Sequence, residues 1–350
     1  MRIERVNSAK AWVGAVSLAL AALAVACSPT AVAGPSAPSL DPAEEPDGPV
    51  TEAVEVESPQ EALPPPVPPP SVPPPFEAPF ALSQAEVYPN AKQLAADVAQ
   101  ALTTYEPDQS LPEVVAGLDA VVDPDRLADQ ARALHHSDAW SRGRVIYPQL
   151  GGVTGDRVSV MVTTEQRIGD AAGERTETRT LDIRLLLHEG AWLVESMASD
   201  GGSPQPLPDD LPDEARAVLE NPRIELPDTA RWDIIAGEIS PHLLRLMARA
   251  ADHSPYGVVV LSTGHPFEVF GTERQSFHTR GRAVDIYRVG ERLVIDDRKK
   301  GSATYRFLEW FYEQPEVSQI GAPWALDGYG GRSFTDVVHQ DHLHVGVRTE

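Results

Sequence analysis

Two clusters of histidine and aspartate lie far apart in this chain, and any fold it adopts must account for both. His278 and Asp285 stand seven apart in Ser276-Phe277-His278-Thr279-Arg280-Gly281-Arg282-Ala283-Val284-Asp285. The chain then closes near His339-Gln340-Asp341-His342-Leu343-His344. If the two segments converge, two His and one Asp make a three-ligand zinc site with one position open. Catalytic zinc uses such a position to hold a water or hydroxide.

The N-terminal end predicts export. Arg2, Arg5 and Lys10 precede an apolar run from Ala11 to Ala26, too short and too weakly flanked for a membrane span. Cys27, the single cysteine, follows Leu23-Ala24-Val25-Ala26 directly. Small residues before a cysteine resemble a bacterial lipobox, which implies a lipid anchor on Cys27 and a chain held on the outer face of a bacterial membrane. Cleavage after Ala24-Val25-Ala26 or Ala31-Val32-Ala33 is the plainer alternative. With one cysteine, no disulfide forms within the chain, so stability rests on packed cores. Lysine occurs at four positions only while arginine is abundant, the pattern of a high-GC genome of actinobacterial type. A net charge of −23 argues against nucleic acid or an anionic membrane surface as a partner.

Length allows about two domains. Residues 1–27 read as the export signal. Residues 28–80 hold about half of the 33 prolines, in runs such as Pro64-Pro65-Pro66, among many acidic residues. Such a stretch buries too little apolar surface to offset its ordering entropy. At ~3.1 Å per residue, polyproline II of this length spans on the order of 150 Å, enough to serve as a tether. From Leu82 to Ser199 the period changes once. Leu94, Val98 and Leu102 repeat as on a helix, and Leu111 to Leu134 reads as more helix. Alternation then takes over in Arg157–Gln166 and Thr178–Leu187, with a Gly turn near Gly173 and a last strand over Gly190–Ser196. His135, His136 and His188 show no shared geometry there. A Pro- and Asp-rich hinge covers 201–224. Residues 225–350 follow, with a helix from Pro241 to Ala251 capped at Ser240, a buried strand over Val258–Leu261, a helix over Ala303–Glu313, and strands over Ala283–Tyr287 and His344–Val347. The fold class is α+β: two domains, a cone-like helix-and-antiparallel-sheet domain (82–200) and then an α+β zinc domain.

Two resemblances sharpen these readings. The order of helices and meander, with Trp192-Leu193-Val194 after a Gly turn, resembles the fold of nuclear transport factor and ketosteroid isomerase. Such a domain implies a spacer, or a binder of a small molecule or protein. The second resemblance is more specific. Ser276-x-His278-x-x-Gly281-x-Ala283-x-Asp285 matches the signature of zinc D-Ala-D-Ala peptidases, and His342-x-His344 matches their second motif. These enzymes group structurally with lysostaphin-type peptidases and the hedgehog domain. The resemblance covers about residues 255–350. It implies one Zn²⁺ on His278, Asp285 and His344, and hydrolysis of peptide bonds in peptidoglycan stem or cross-bridge peptides. A glutamate that serves as base in that group is replaced here by Asp341. The spacing His339-x-x-His342-x-His344 resembles the penicillin-insensitive murein endopeptidases instead, so Asp341 and His342 both stand as candidate bases. His265, Arg274, Ser276 and His339 are placed around the substrate, with Ser276 a structural hydroxyl rather than a nucleophile. Carboxypeptidase and endopeptidase remain open. The alternative reading is a non-catalytic, zinc-containing wall-binding lipoprotein.

Overall fold

In the computed structural model, residues 72–328 and 330–349 are described. The export signal, Cys27 and most of the proline-rich segment lie outside them. All described residues belong to one compact unit. The chain is α+β with two sheets, and no described helix is long and apolar enough to cross a membrane.

The first half opens with α1 (Pro89–Leu102). Pro89 pre-sets the first turn, and Ala91, Ala95, Ala96 and Ala99 give a thin buried face that lets the helix lie close to the sheet. The stretch read as more helix is helical in short pieces. It forms α2 (Leu111–Ala116) and α3 (Pro124–Gln130), followed by a short 3₁₀ turn over Arg132–Leu134. Gly117 ends α2, and the Asp123 carboxylate accepts the Arg126 N–H at 3.0 Å to start α3. Then come β1 (Trp140–Val153), β2 (Arg157–Asp170), β3 (Gly173–His188) and β4 (Ala191–Ser199). They pair antiparallel in the order β1-β2-β3-β4. The last three match the expected meander. β1 is an addition to it, hidden in the sequence because Pro148 and three glycines interrupt its alternation. Its interior side packs with α1, α3 and the other strands around Leu102, Leu127, Leu150, Val160 and Ile183.

The second half contains α4 (Asp213–Leu219), β5 (Ile224–Glu225), α5 (Asp228–Ile235), α6 (Pro241–His253), β6 (Tyr256–Val260), β7 (Ala283–Val289), β8 (Arg292–Leu293), α7 (Ala303–Glu313), β9 (Val317–Gly321), β10 (Ser333–Phe334) and β11 (Leu343–Val347). The sheet runs β10-β9-β11-β7-β6-β5, with β8 on the end of β7. α4, α6 and α7 cover one face through Val218, Leu243, Leu246, Met247, Phe307 and Phe311. Ser240 does precede Pro241, but its side chain makes no capping bond.

The two halves are bonded along a broad front. Thr178 and Asp228 exchange two hydrogen bonds of 2.7 and 2.8 Å. Thr180 Oγ1 donates to the Val259 carbonyl at 2.6 Å. Tyr147, Met161, Val259, Val260 and Tyr287 form a small apolar cluster drawn from both halves. The stretch read as a hinge, 201–224, contains α4 and the start of β5. The end of the proline-rich stretch is also tied down, since Gln93 donates to the Phe80 carbonyl and Arg142 to that of Pro74.

Candidate metal centre

β7 and β11 are neighbours, and their register places His344 directly opposite Asp285. Cross-strand partners share a face, so the two side chains meet without any loop arranging them. His278 reaches the same point from a 3₁₀ turn over His278–Arg280, which closes at Gly281 with φ +65°. The left-handed region favours glycine. A Cβ on Gly281 would also lie 1.9 Å from the Glu238 carbonyl oxygen. Gly281→Ala is therefore expected to cost about 2–4 kcal/mol, the sum of the left-handed penalty and a backbone clash. Denaturant unfolding of the purified variant measures this, and a loss below ~1 kcal/mol would refute the account of this turn.

Three atoms converge. His278 Nε2 lies 3.1 Å from Asp285 Oδ1 and 3.0 Å from His344 Nδ1, and His344 Nδ1 lies 3.0 Å from Asp285 Oδ1. His278 Nδ1 donates to the Leu261 carbonyl at 2.8 Å, so its Nε2 presents a lone pair. Burial pushes the Asp285 carboxyl up, but His278, His342 and two hydrogen bonds outweigh it and hold the carboxyl well below the usual range. Burial drives the His344 imidazole down to about 4, so the neutral ring dominates near neutral pH. Three lone-pair donors this close, all buried, call for a cation among them. The triangle's edges are slightly shorter than the ~3.3 Å between ligands of a tetrahedral ion with ~2.0–2.1 Å bonds. The donor set, two nitrogens and an oxygen, is one that divalent transition metals accept.

His265 belongs to this cluster too. One ring nitrogen of His265, one of His278 and an Asp285 oxygen lie within 4.8 Å of one another and could hold a metal ion. The His265 and His278 rings, however, stack at 4.1 Å and 15°. Rings face to face cannot both direct an in-plane lone pair at one ion. His344 is the better third ligand, and His265 flanks the site. His265 Nδ1 donates to its neighbour's carbonyl, Pro266, at 2.7 Å.

The other expected residues separate into two groups. His342 Nε2 stands 3.7 Å from Asp285 Oδ2, while its Nδ1 donates to Asp341 Oδ1 at 2.6 Å. Asp341 is turned away from the ligands. Its Oδ2 accepts the Leu150 N–H at 2.8 Å and pairs with Lys92, which also pairs with Glu86. Tyr147 donates to Glu86 at 2.9 Å. Ser276 Oγ accepts the His278 N–H at 3.2 Å. His339 donates to Asp336 at 2.7 Å, and its ring lies 5.0 Å from that of His342. Arg280 is held by Gln275 at 3.3 Å. A cavity of ≈ 190 Å³ opens over the centre, with His265, Arg274, Ser276, His339, His342 and His344 in its wall.

Residues of the first half also reach this centre. Leu150, Gly151, Gly152 and Val153 of β1 and Met161 of β2 wall the cavity. Gly152 lets Phe270 approach so closely that a Cβ there would sit 2.2 Å from it. Gln149 donates from Nε2 to Asp285 Oδ2 at 2.6 Å. Sequence reasoning missed Gln149, Leu150, Lys92 and Glu86. One signal was available for Lys92: it falls on the buried alanine stripe of α1, three and four residues before Ala95 and Ala96. A lysine on such a face needs a buried partner.

The chain matches no protein-family model and no curated protein. Among solved structures it is similar to Aln2 from a Streptomyces species, at 16% identity over 31% of this chain and 86% of that one, with a TM-score of 0.24. A similarity at that level carries no argument.

Proposed function

We propose that the protein is a zinc metallopeptidase acting outside the cell on peptidoglycan stem or cross-bridge peptides. One observation carries this reading: the triangle of His278 Nε2, Asp285 Oδ1 and His344 Nδ1 has edges of 3.0–3.1 Å, and Asp285 and His344 line a cavity beside it. Zinc held there supplies a Lewis acid and an acidified water. The motif resemblance supplies the substrate class.

Of the two candidate bases, the geometry favours His342. Its Nδ1 proton is engaged by Asp341, so its Nε2 is the atom that faces the ligands and the cavity. His342 takes a proton at Nε2 and passes it to the departing amine. Asp341 has both oxygens occupied, by His342 on one side and by Leu150 and Lys92 on the other. It is a positioning residue that holds the imidazole in one tautomer. His265 and Arg274 line the cavity and meet the peptide carbonyl or carboxylate. The cone-like first half, with its helix-then-meander order, is more than a spacer in this reading, because β1 forms one wall.

The test pairs metal content with muropeptide release from purified sacculi. Wild-type protein should hold about one zinc per chain and release muropeptides. His342→Ala should keep its zinc and lose ~10²–10⁴-fold in rate. Undiminished release by that variant would remove His342 from the mechanism. Zinc without any release by the wild type would favour a wall-binding lipoprotein, and absence of zinc would end the metal reading.

A further inference from the structure

Gln149 is fully buried at the junction of the two halves. Its amide nitrogen donates to Asp285 Oδ2, the carboxylate oxygen that does not face His278 and His344. Its Oε1 is buried and has no hydrogen-bond partner among the described residues. A half-satisfied buried amide costs stability and calls for an explanation other than packing. The local backbone points the same way. Gln149 follows Pro148, and the β1–β2 register slips just after it, between Leu150 and Gly152. Bulges of this kind re-aim side chains beside active sites.

We infer that Gln149 is an outer-sphere residue of the metal centre, contributed by the first half of the chain, and that it fixes Asp285 as a one-oxygen ligand. With Oδ2 tied to the amide, Oδ1 is the oxygen left for the ion. Without that bond the carboxylate is free to rotate, or to offer both oxygens. Hydrogen bonds that orient a metal-binding group are worth ~10–100-fold in metal affinity. The bond also makes zinc binding report on the docking of the two halves, since one metal ligand leans on a strand of the other sheet. Leu150, the next residue, donates its N–H to Asp341, so adjacent residues of β1 brace both the ligand set and His342.

The inference rests on the reading of His278, Asp285 and His344 as ligands, not on peptidase activity. Its test is zinc affinity, measured by chelator competition on the full chain with Gln149→Met, which keeps length and loses the donor. Gln149→Asn, which keeps the amide and loses the reach, is the second variant. Both should bind zinc ~10–100-fold more weakly. The visible spectrum of the cobalt-substituted protein should also change shape, because coordination by Asp285 is altered. Thermal melts of the metal-free proteins identify a variant that has not folded, and the other then decides. Zinc affinity and cobalt spectra equal to wild type in a folded variant would overturn the inference while leaving the metal centre standing. A wild-type chain that binds no zinc would overturn both.

Discussion

Exchange of His278 for alanine is expected to abolish zinc binding. Metal content should fall from about one ion per chain to background, and any muropeptide release should fall with it. His278 is the candidate ligand with the least freedom. It is fully buried, its ring is anchored by the Leu261 carbonyl, and its Nε2 meets both other ligand atoms at 3.0–3.1 Å. Two remaining ligands cannot make the three-ligand set that catalytic zinc sites use. Elemental analysis after dialysis against a mild chelator gives the answer. Zinc retained at wild-type stoichiometry would show that the ion sits elsewhere, and the set that includes His265 could not explain it either, since it too needs His278.

Lys92→Met is expected to cause the largest loss of stability of any single side-chain exchange near the site. Lys92, Glu86 and Asp341 are all buried, and the one ammonium group serves two carboxylates. Removing it leaves both without a cation. Breaking a buried pair in this way costs about 3–5 kcal/mol, because the uncompensated charge stays desolvated. The loss should depend on pH. Burial already raises the Glu86 carboxyl, and Lys92 opposes that rise. Without the lysine the folded-state value climbs further above the unfolded one. A carboxyl shifted upward adds stability at low pH that is lost as pH rises through its folded value. The variant should therefore recover stability on mild acidification, and adding Glu86→Gln should restore part of it at neutral pH. Denaturant midpoints of the three proteins at acidic and neutral pH check this. A variant as stable as wild type at neutral pH would mean that the ion pairs contribute nothing.

The same network explains why the two candidate bases could not be separated by sequence. Asp341 and His342 are adjacent, and both have suitable chemistry. Only packing from α1 and β1 turns the aspartate towards Lys92 and Leu150 and leaves the imidazole facing the ligands. Likewise, the motif resemblance pointed to His278, Asp285 and His344 as candidate ligands but carried no reason to expect Gln149. That residue lies in a strand whose alternation is broken by Pro148, Gly151 and Gly152. The irregularities that hid β1 from a period-two reading are the ones that shape it against the site. The breaks in the helical Leu111–Leu134 stretch have a simpler reason. Apolar residues continued through it, but Gly117 and Pro124 end one helix and begin another.

Local chemistry was therefore readable in one dimension. Hydrophobic period, turn residues and the two metal motifs depend on neighbours in the chain, and they determined the α+β class, the meander from 157 to 199, the helix over 303–313 and the three candidate ligands. What the tertiary structure alone decided is the other wall of the site. Burial of Lys92 and Gln149 has meaning only once a partner carboxylate is beside them, and those partners lie 249 and 136 residues away. Contacts at that separation are set by how the two sheets pack, and no periodicity within either segment records it.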